Sequence, residues 1–224
     1  MAHIIAFEGI DGTGKGTQAQ ILYERLVSLD KHCLKISFPD YESFLGRQIG
    51  ELLSGRSTTT AATLDPKSMA LWFAAERFHT FQGINLLDYD FIVLNRYVMS
   101  NVAYQSLKLE PSERAHFTRW VLELEYNLFG LPRPDVCFVF DADERLSASN
   151  VSRKGFREYT GNEPDIYERS ITTQAGARQA YLELARQTDG AMLVECGNNS
   201  GSMLPASEIA EFVFKGIEHL LRCV

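Results

Sequence analysis

No stretch of this 224-residue chain is apolar over anything near the ~20 residues that span a bilayer, and its N-terminal apolar run is too short and lacks the basic segment of a secretory leader. Cysteine is scarce: Cys33, Cys137, Cys196 and Cys223 stand far apart, without the close pairs of a metal knuckle or a disulfide scaffold. They read as buried thiols of a reducing compartment, so a cytoplasmic protein with no membrane partner is expected. Positive charge is also in deficit, with 22 Lys and Arg against 29 Asp and Glu and a net charge of -7. A broad nucleic-acid surface needs clustered cations, so any anion must be held by a local site, which favours a small phosphorylated ligand over a polymer. Repeats and low-complexity tracts are absent too. What remains is average for a globular protein, 45% hydrophobic and 23% charged, and the length fits one domain over residues 1–224.

Five short runs rich in Val, Ile, Leu and Phe recur at 3–9, 33–39, 91–96, 136–142 and 191–197. Each reads as a strand buried on both faces. Stretches of helical spacing lie between them, at 15–29, 43–54, 66–88, 112–128, 167–188 and 206–222. The alternation predicts an α/β fold, a doubly wound parallel sheet of about five strands flanked by helices, with ligands at the carboxyl ends of the strands. Two segments break the pattern. Residues 54–66 form a Ser/Thr-rich loop ending in Asp65 and Pro66, a cap and first-turn pair for the next helix. Residues 150–165, "NVSRKGFREYTGNEPD", are basic, hinge-prone and weakly apolar, as in a mobile lid.

"FEGIDGTGKGTQ", residues 7–18, carries the chemistry most directly. Gly9, Gly14 and Lys15 match G-x-x-x-x-G-K between a strand and a helix, the context in which Gly9, Asp11, Gly12, Thr13, Gly14, Lys15, Gly16 and Thr17 can wrap a polyphosphate. Glycines let successive N–H groups turn inward, the helix start adds partial positive charge, and Lys15 reaches the terminal phosphates. Gly16 stands where Ser or Thr is usual, with Thr17 one position later; "GKGTQ" resembles the spelling in adenylate kinases, where water and phosphates hold most of the metal. A carboxylate beside polyphosphate is repelled unless something offsets it, so Asp11 points toward a second substrate.

Further along, "FPDY" (38–41), "FAAERF" (73–78), "NRYVMSNVAYQ" (95–105), "GLPRPD" (130–135) and "DIYER" (165–169) follow in order. Together with the glycine-rich loop they resemble thymidylate kinases, nucleoside monophosphate kinases of the P-loop type, over residues 4 to about 187. The resemblance implies ATP and dTMP as substrates, Mg²⁺ as cofactor, a short basic lid and a homodimer formed through helices. "MALWFAAERF" and "FTRWVLELEYNLF" carry large apolar residues enough for such an interface, although core packing explains most of them equally well. The resemblance places Phe73 on the thymine ring and Arg77 on its carbonyl edge. Periodicity alone favours Phe73 in a core and Arg77 in solvent; the surrounding motifs reverse that. Arg96 becomes the ligand of the acceptor phosphate, and Ser100, Asn101 and Tyr104 contact base and sugar, the tyrosine crowding out a ribose 2'-hydroxyl. Phe38, Pro39, Tyr41, Asp165 and Tyr167 complete the dTMP set, with Asp11 on the sugar hydroxyl or on metal-bound water. The family carries a catalytic arginine either in the phosphate loop or in the lid. With Gly12 in the loop, this chain resembles the lid type, and Arg153 and Arg157, with Lys154 between them, are the candidates in undecided order.

Two positions depart from the family pattern. Asn95 replaces the acid of "DRY", which weakens a metal site otherwise expected from Asp11, Thr17 and Asn95, partly through water. Asp40 replaces the frequent arginine of "FPRY", a loss that Arg47 is placed to offset. The departures lie on the phosphate side and leave the base-reading residues intact. The rivals to dTMP phosphorylation are therefore a related kinase with altered acceptor choice and a catalytically weakened nucleotide-binding module.

Overall fold

This computed structural model describes the chain apart from residues 57, 152–164, 169, 199–200 and 223–224 and the side chains of 149 and 151. Five strands form one parallel sheet: β1 (His3–Gly9), β2 (Cys33–Ser37), β3 (Phe91–Asn95), β4 (Val136–Asp141) and β5 (Ala191–Glu195), in the order β2-β3-β1-β4-β5. The three central strands bury nearly every residue on both faces, which is why they read as continuous apolar runs, whereas β2 and β5 at the edges do not.

Alternation along β1 divides the core. Ile4 and Ala6 face a layer built from α2 (Phe44–Ser54), α3 (Pro66–Gln82), α4 (Val98–Gln105), α5 (Pro111–Leu122) and α7 (Ile171–Gln187). Ile5 and Phe7 face the opposite layer, α1 (Lys15–Ser28) and α8 (Ala206–Leu221), through Leu22, Leu26, Val213 and Ile217. No helix among the described residues is long and apolar enough to cross a membrane. Cys137 and Cys196 are buried free thiols and Cys33 a half-buried one.

Every expected strand is present, β1 with the expected bounds and the other four ending one or two residues early, and the expected helices differ in detail. The run 66–88 divides at Gly83, because Asn85 caps a separate 3₁₀ turn at Leu86–Asp88 through the N–H of Leu87 at 3.2 Å. At its start Asp65 accepts the N–H groups of Lys67 and Ser68 at 3.0 and 3.1 Å, with Pro66 in the first turn, as expected. The run 112–128 is α5 followed by a π-helical turn, Glu123–Leu128, a form frequent at functional sites. Helix α7 begins only at Ile171, capped by Ser170. An additional helix, α6 (Glu144–Val151), occupies the approach to the expected lid. Arg153, Lys154 and Arg157 lie outside the described residues.

Candidate active site

Because all five strands are parallel, the segments that leave their carboxyl ends meet at one edge of the sheet, and the glycine-rich loop leaves the middle strand. Its shape depends on missing side chains. Gly12 has φ +82°, and a Cβ there would lie 2.0 Å from the backbone oxygen of Ser147 on α6. Asn150 Nδ2 donates to Gly12 O at 3.1 Å from the same helix. Gly14 caps α1 without any side-chain partner, which leaves the first-turn N–H groups directed at an incoming anion. Lys15, 6% exposed, folds over the loop, its Nζ donating to Ile10 O at 2.5 Å and to Thr13 Oγ1 at 3.4 Å.

Beside the loop, between the segments that follow β2 and β3, lies a cavity of about 920 Å³. All twelve residues expected on the acceptor line it: Asp11, Phe38, Pro39, Tyr41, Phe73, Arg77, Arg96, Ser100, Asn101, Tyr104, Asp165 and Tyr167. Arg96 stands where cavity and loop join. Its Nη2 donates to Asp11 Oδ1 at 2.6 Å, and its Nη1 lies within reach of Gly9 O (3.3 Å), Ser100 Oγ (3.2 Å) and the Tyr181 hydroxyl (3.2 Å). The Arg96 backbone sits at φ +68°, left-handed and costly for a residue with a Cβ. The Tyr104 hydroxyl donates to the other Asp11 oxygen at 2.9 Å, and the Tyr104 ring stacks on Tyr167 at 5.2 Å. Asp11 is thus turned to the acceptor side, its charge paired with Arg96. Burial, and then the charges of Asp11 and Glu168, push the Asp165 carboxyl up to about 7.

Helix α3 inverts the amphipathic alternative: Phe73 is half-buried and Arg77 only 1% exposed. The sequence offered no sign of the reason, which is Glu125 in the π-helical turn. Arg77 Nε and Nη2 donate to its two oxygens at 2.6 and 2.7 Å, and Asn101 Nδ2 donates to Glu125 Oε1 at 2.9 Å. Three further polar residues that sequence reasoning passed over support the site. Gln174 accepts the N–H of Asp11 at 3.1 Å and its Oε1 lies 3.2 Å from the Tyr104 hydroxyl; Tyr181 touches Arg96; Glu8 caps α4 from beneath. Only Glu8 left a signal, as a carboxylate inside an otherwise apolar strand.

One expectation is corrected. Arg47 does not offset Asp40: it is exposed, donates to the backbone oxygen of Glu42, and is absent from the cavity wall. Asp40 instead lines the cavity, and its N–H is held by Glu76, whose buried carboxyl is pushed up to about 7. Gly46 makes this packing possible, since a Cβ there would meet Asp40 O at 1.7 Å.

A second cavity of about 650 Å³ opens on the other side of the loop, among residues that follow β4 and β5, including Asp141, Arg145, Leu146, Arg178, Gly197 and Asn198. Arg178 is fixed there by Asp141, at 2.5 and 3.1 Å. Of the expected metal contacts, Thr17 is exposed in the first turn of α1, and Asn95 Oδ1 is buried without a hydrogen-bond partner, while its Nδ2 reaches Ser37 Oγ at 3.3 Å. No group of three or more His, Cys, Asp or Glu among the described residues could hold a metal ion. This donor set fits a hard cation carried mainly by phosphate oxygens and water, with Asn95 Oδ1 and the Thr17 hydroxyl as neutral oxygen partners.

Known proteins share this layout. Residues 7–204 match the family model described as thymidylate kinase. Thymidylate kinase from Mycobacterium tuberculosis is 31% identical over 188 residues, 82% of this chain and 86% of that protein. A probable thymidylate kinase from Sulfurisphaera tokodaii is 27% identical across the full length of both chains. The solved structure of thymidylate kinase from Candida albicans superimposes with a TM-score of 0.74 at 26% identity, covering 97% of this chain and 92% of that one. A glycine-rich loop leaving the middle strand, a cavity that collects the residues expected on the acceptor, and a match from residue 7 to residue 204 make this chain a member of the thymidylate kinase family.

Proposed function

We propose that the protein transfers the γ-phosphoryl group of ATP to dTMP, giving ADP and dTDP, with the roles below. The observation that carries the reading is the junction itself. Arg96 lines the acceptor cavity and at the same time grips Asp11 of the phosphate loop at 2.6 Å, so one guanidinium borders both phosphates.

Phosphoryl transfer depends on alignment and on cations around the transferring oxygens, and it needs no covalent enzyme intermediate. The loop N–H groups and Lys15 hold the donor phosphates, and the donor base extends toward the cavity beyond β4 and β5. Arg96 holds the acceptor phosphate in line with them. Phe73 stacks on thymine, Arg77 and Asn101 address its edge, and Tyr104 fills the space a 2'-hydroxyl would need. Asn95, Thr17 and Asp11 would hold Mg²⁺, partly through water, and the ion would supply neutralising charge to the donor phosphates. Arg153 and Arg157 are assigned to the transferring group by the family resemblance. Exposed Leu71, Phe78 and Leu128, on α3 and the turn after α5, support a homodimer through these helices, which light scattering tests. The activity is tested by ADP release with Mg²⁺-ATP across dTMP, dUMP, dGMP, dCMP and AMP. A clear preference for dTMP is expected, and none would overturn the reading.

A further inference from the structure

Glu8 lies at the carboxyl end of β1 with 0% exposure. Its Oε1 accepts the backbone N–H groups of Tyr97 (2.9 Å) and Ser100 (3.2 Å), and its Oε2 accepts the Ser100 hydroxyl at 2.5 Å. These donors belong to the start of α4, whose own N-cap position, Tyr97, makes no side-chain cap bond. The strand thus supplies the cap that the helix lacks, immediately after the left-handed Arg96.

The hydroxyl protons in this cluster can be placed by counting donors and acceptors. Ser100 Oγ and the Tyr181 hydroxyl are 2.7 Å apart, and Arg96 Nη1 is 3.2 Å from each. A guanidinium only donates, so Arg96 gives to Tyr181, Tyr181 gives to Ser100, and Ser100 gives to Glu8. With Glu8 ionised every bond runs the same way and ends on its carboxylate; burial raises the pKa of this group, while the Ser100 hydroxyl and the Arg96 charge favour the ionised form. A neutral group at position 8 that donated to Ser100 would turn the chain around, stranding the Tyr181 proton against the Arg96 guanidinium with no acceptor.

We infer that Glu8 is a positioning residue for the acceptor phosphate, acting through Ser100 and Tyr181 to set the direction of the hydrogen-bond chain that holds Arg96. The inference rests on the proposed function for the identity of that phosphate. Tyr181, on α7, becomes part of the same device without a place in the cavity wall.

A double-mutant cycle of Glu8→Gln and Tyr181→Phe tests it, reading thermal unfolding without ligand together with kcat and the KM values for dTMP and ATP. Glu8→Gln is expected to raise the dTMP KM about tenfold and leave the ATP KM within about twofold, the scale of one hydrogen bond to a charged group. Tyr181→Phe alone raises the dTMP KM about threefold, yet in the Glu8→Gln background it lowers it, because the stranded proton is gone. Unfolding midpoints show the same reversal of sign. Should Glu8→Gln not fold, Ser100→Ala strands the same proton, and Tyr181→Phe is expected to reverse sign in that background too. Additive effects in either measurement, or equal rises in both KM values, would overturn the inference. A wild type that shows no preference for dTMP would defeat the functional reading instead, and the ligand-free unfolding cycle would still decide the direction of the chain.

Discussion

Glu125→Ala isolates the charge pair of Arg77, which lines the larger cavity, and Glu125, buried behind it. Arg77 is 1% exposed and Glu125 not at all, and two bonds of 2.6 and 2.7 Å join them. Removing one partner leaves a guanidinium buried without compensation, a change that costs ~3–5 kcal/mol. At ~2–4 °C per kcal/mol for a chain of this size, the midpoint of thermal unfolding drops by roughly 6–20 °C. Urea unfolding at neutral pH gives the free energy directly. Stability and function separate in the double variant Arg77→Met with Glu125→Leu. Exchanging a buried pair for apolar side chains of similar volume is close to neutral, so stability returns to within about 2 kcal/mol of wild type. Base reading does not return, and the dTMP KM stays raised by roughly ten- to a hundredfold, the worth of a hydrogen bond from a charged donor. A loss below about 1 kcal/mol in the single variant would show that the pair is not desolvated, contrary to the reasoning from its burial. A double variant with a normal dTMP KM would remove Arg77 from base recognition.

Asn95→Asp places a full charge where an amide oxygen now lies without a partner; with the contact made through metal-bound water, as for a charge pair in water at ~1 kcal/mol, the Mg²⁺ concentration for half-maximal rate falls at least about fivefold, and an unchanged titration refutes the metal role of this position. Burial raises the Glu76 carboxyl from 4.5 to about 7, so between those values the native protein holds a proton that the unfolded chain has released, and stability falls as pH rises through that window. Glu76→Gln removes this component: relative to wild type the variant gains roughly 3 kcal/mol between pH 4.5 and pH 8, and parallel pH profiles in urea unfolding would contradict it.

Strands and loop motifs were legible because their signals are local. A doubly buried strand must be apolar along its length, and a phosphate loop needs its glycines and lysine at fixed spacing. Arg96, Ser100, Asn101 and Tyr104 were legible because they follow the end of β3 directly, whereas Phe73, Arg77, Asp165 and Tyr167 stand far from any strand end and were legible only through their resemblance to family motifs. Their supports were not. Glu125 is 48 residues from Arg77, Gln174 is 163 from Asp11, and Tyr181 is 85 from Arg96, so only packing of α7 and the π-helical turn brings them together. Helix α6 escaped notice because "ERLSASNV" offers little apolar periodicity, and its position is set by contact with α7 and with Gly12. Arg77 misled periodicity for a related reason: a buried ion pair makes a charged residue pack like a core one.

The contact between Gly12 and Ser147 also bears on descent. Family members with an arginine in the loop and those with arginines in the lid look like alternatives a single codon change could exchange. Here the 2.0 Å approach of the Ser147 oxygen to any Cβ at position 12 forbids that exchange. A lineage carrying this backbone must first draw α6 away from the loop, at a cost to the surface on which Asn150 and Gly12 now meet.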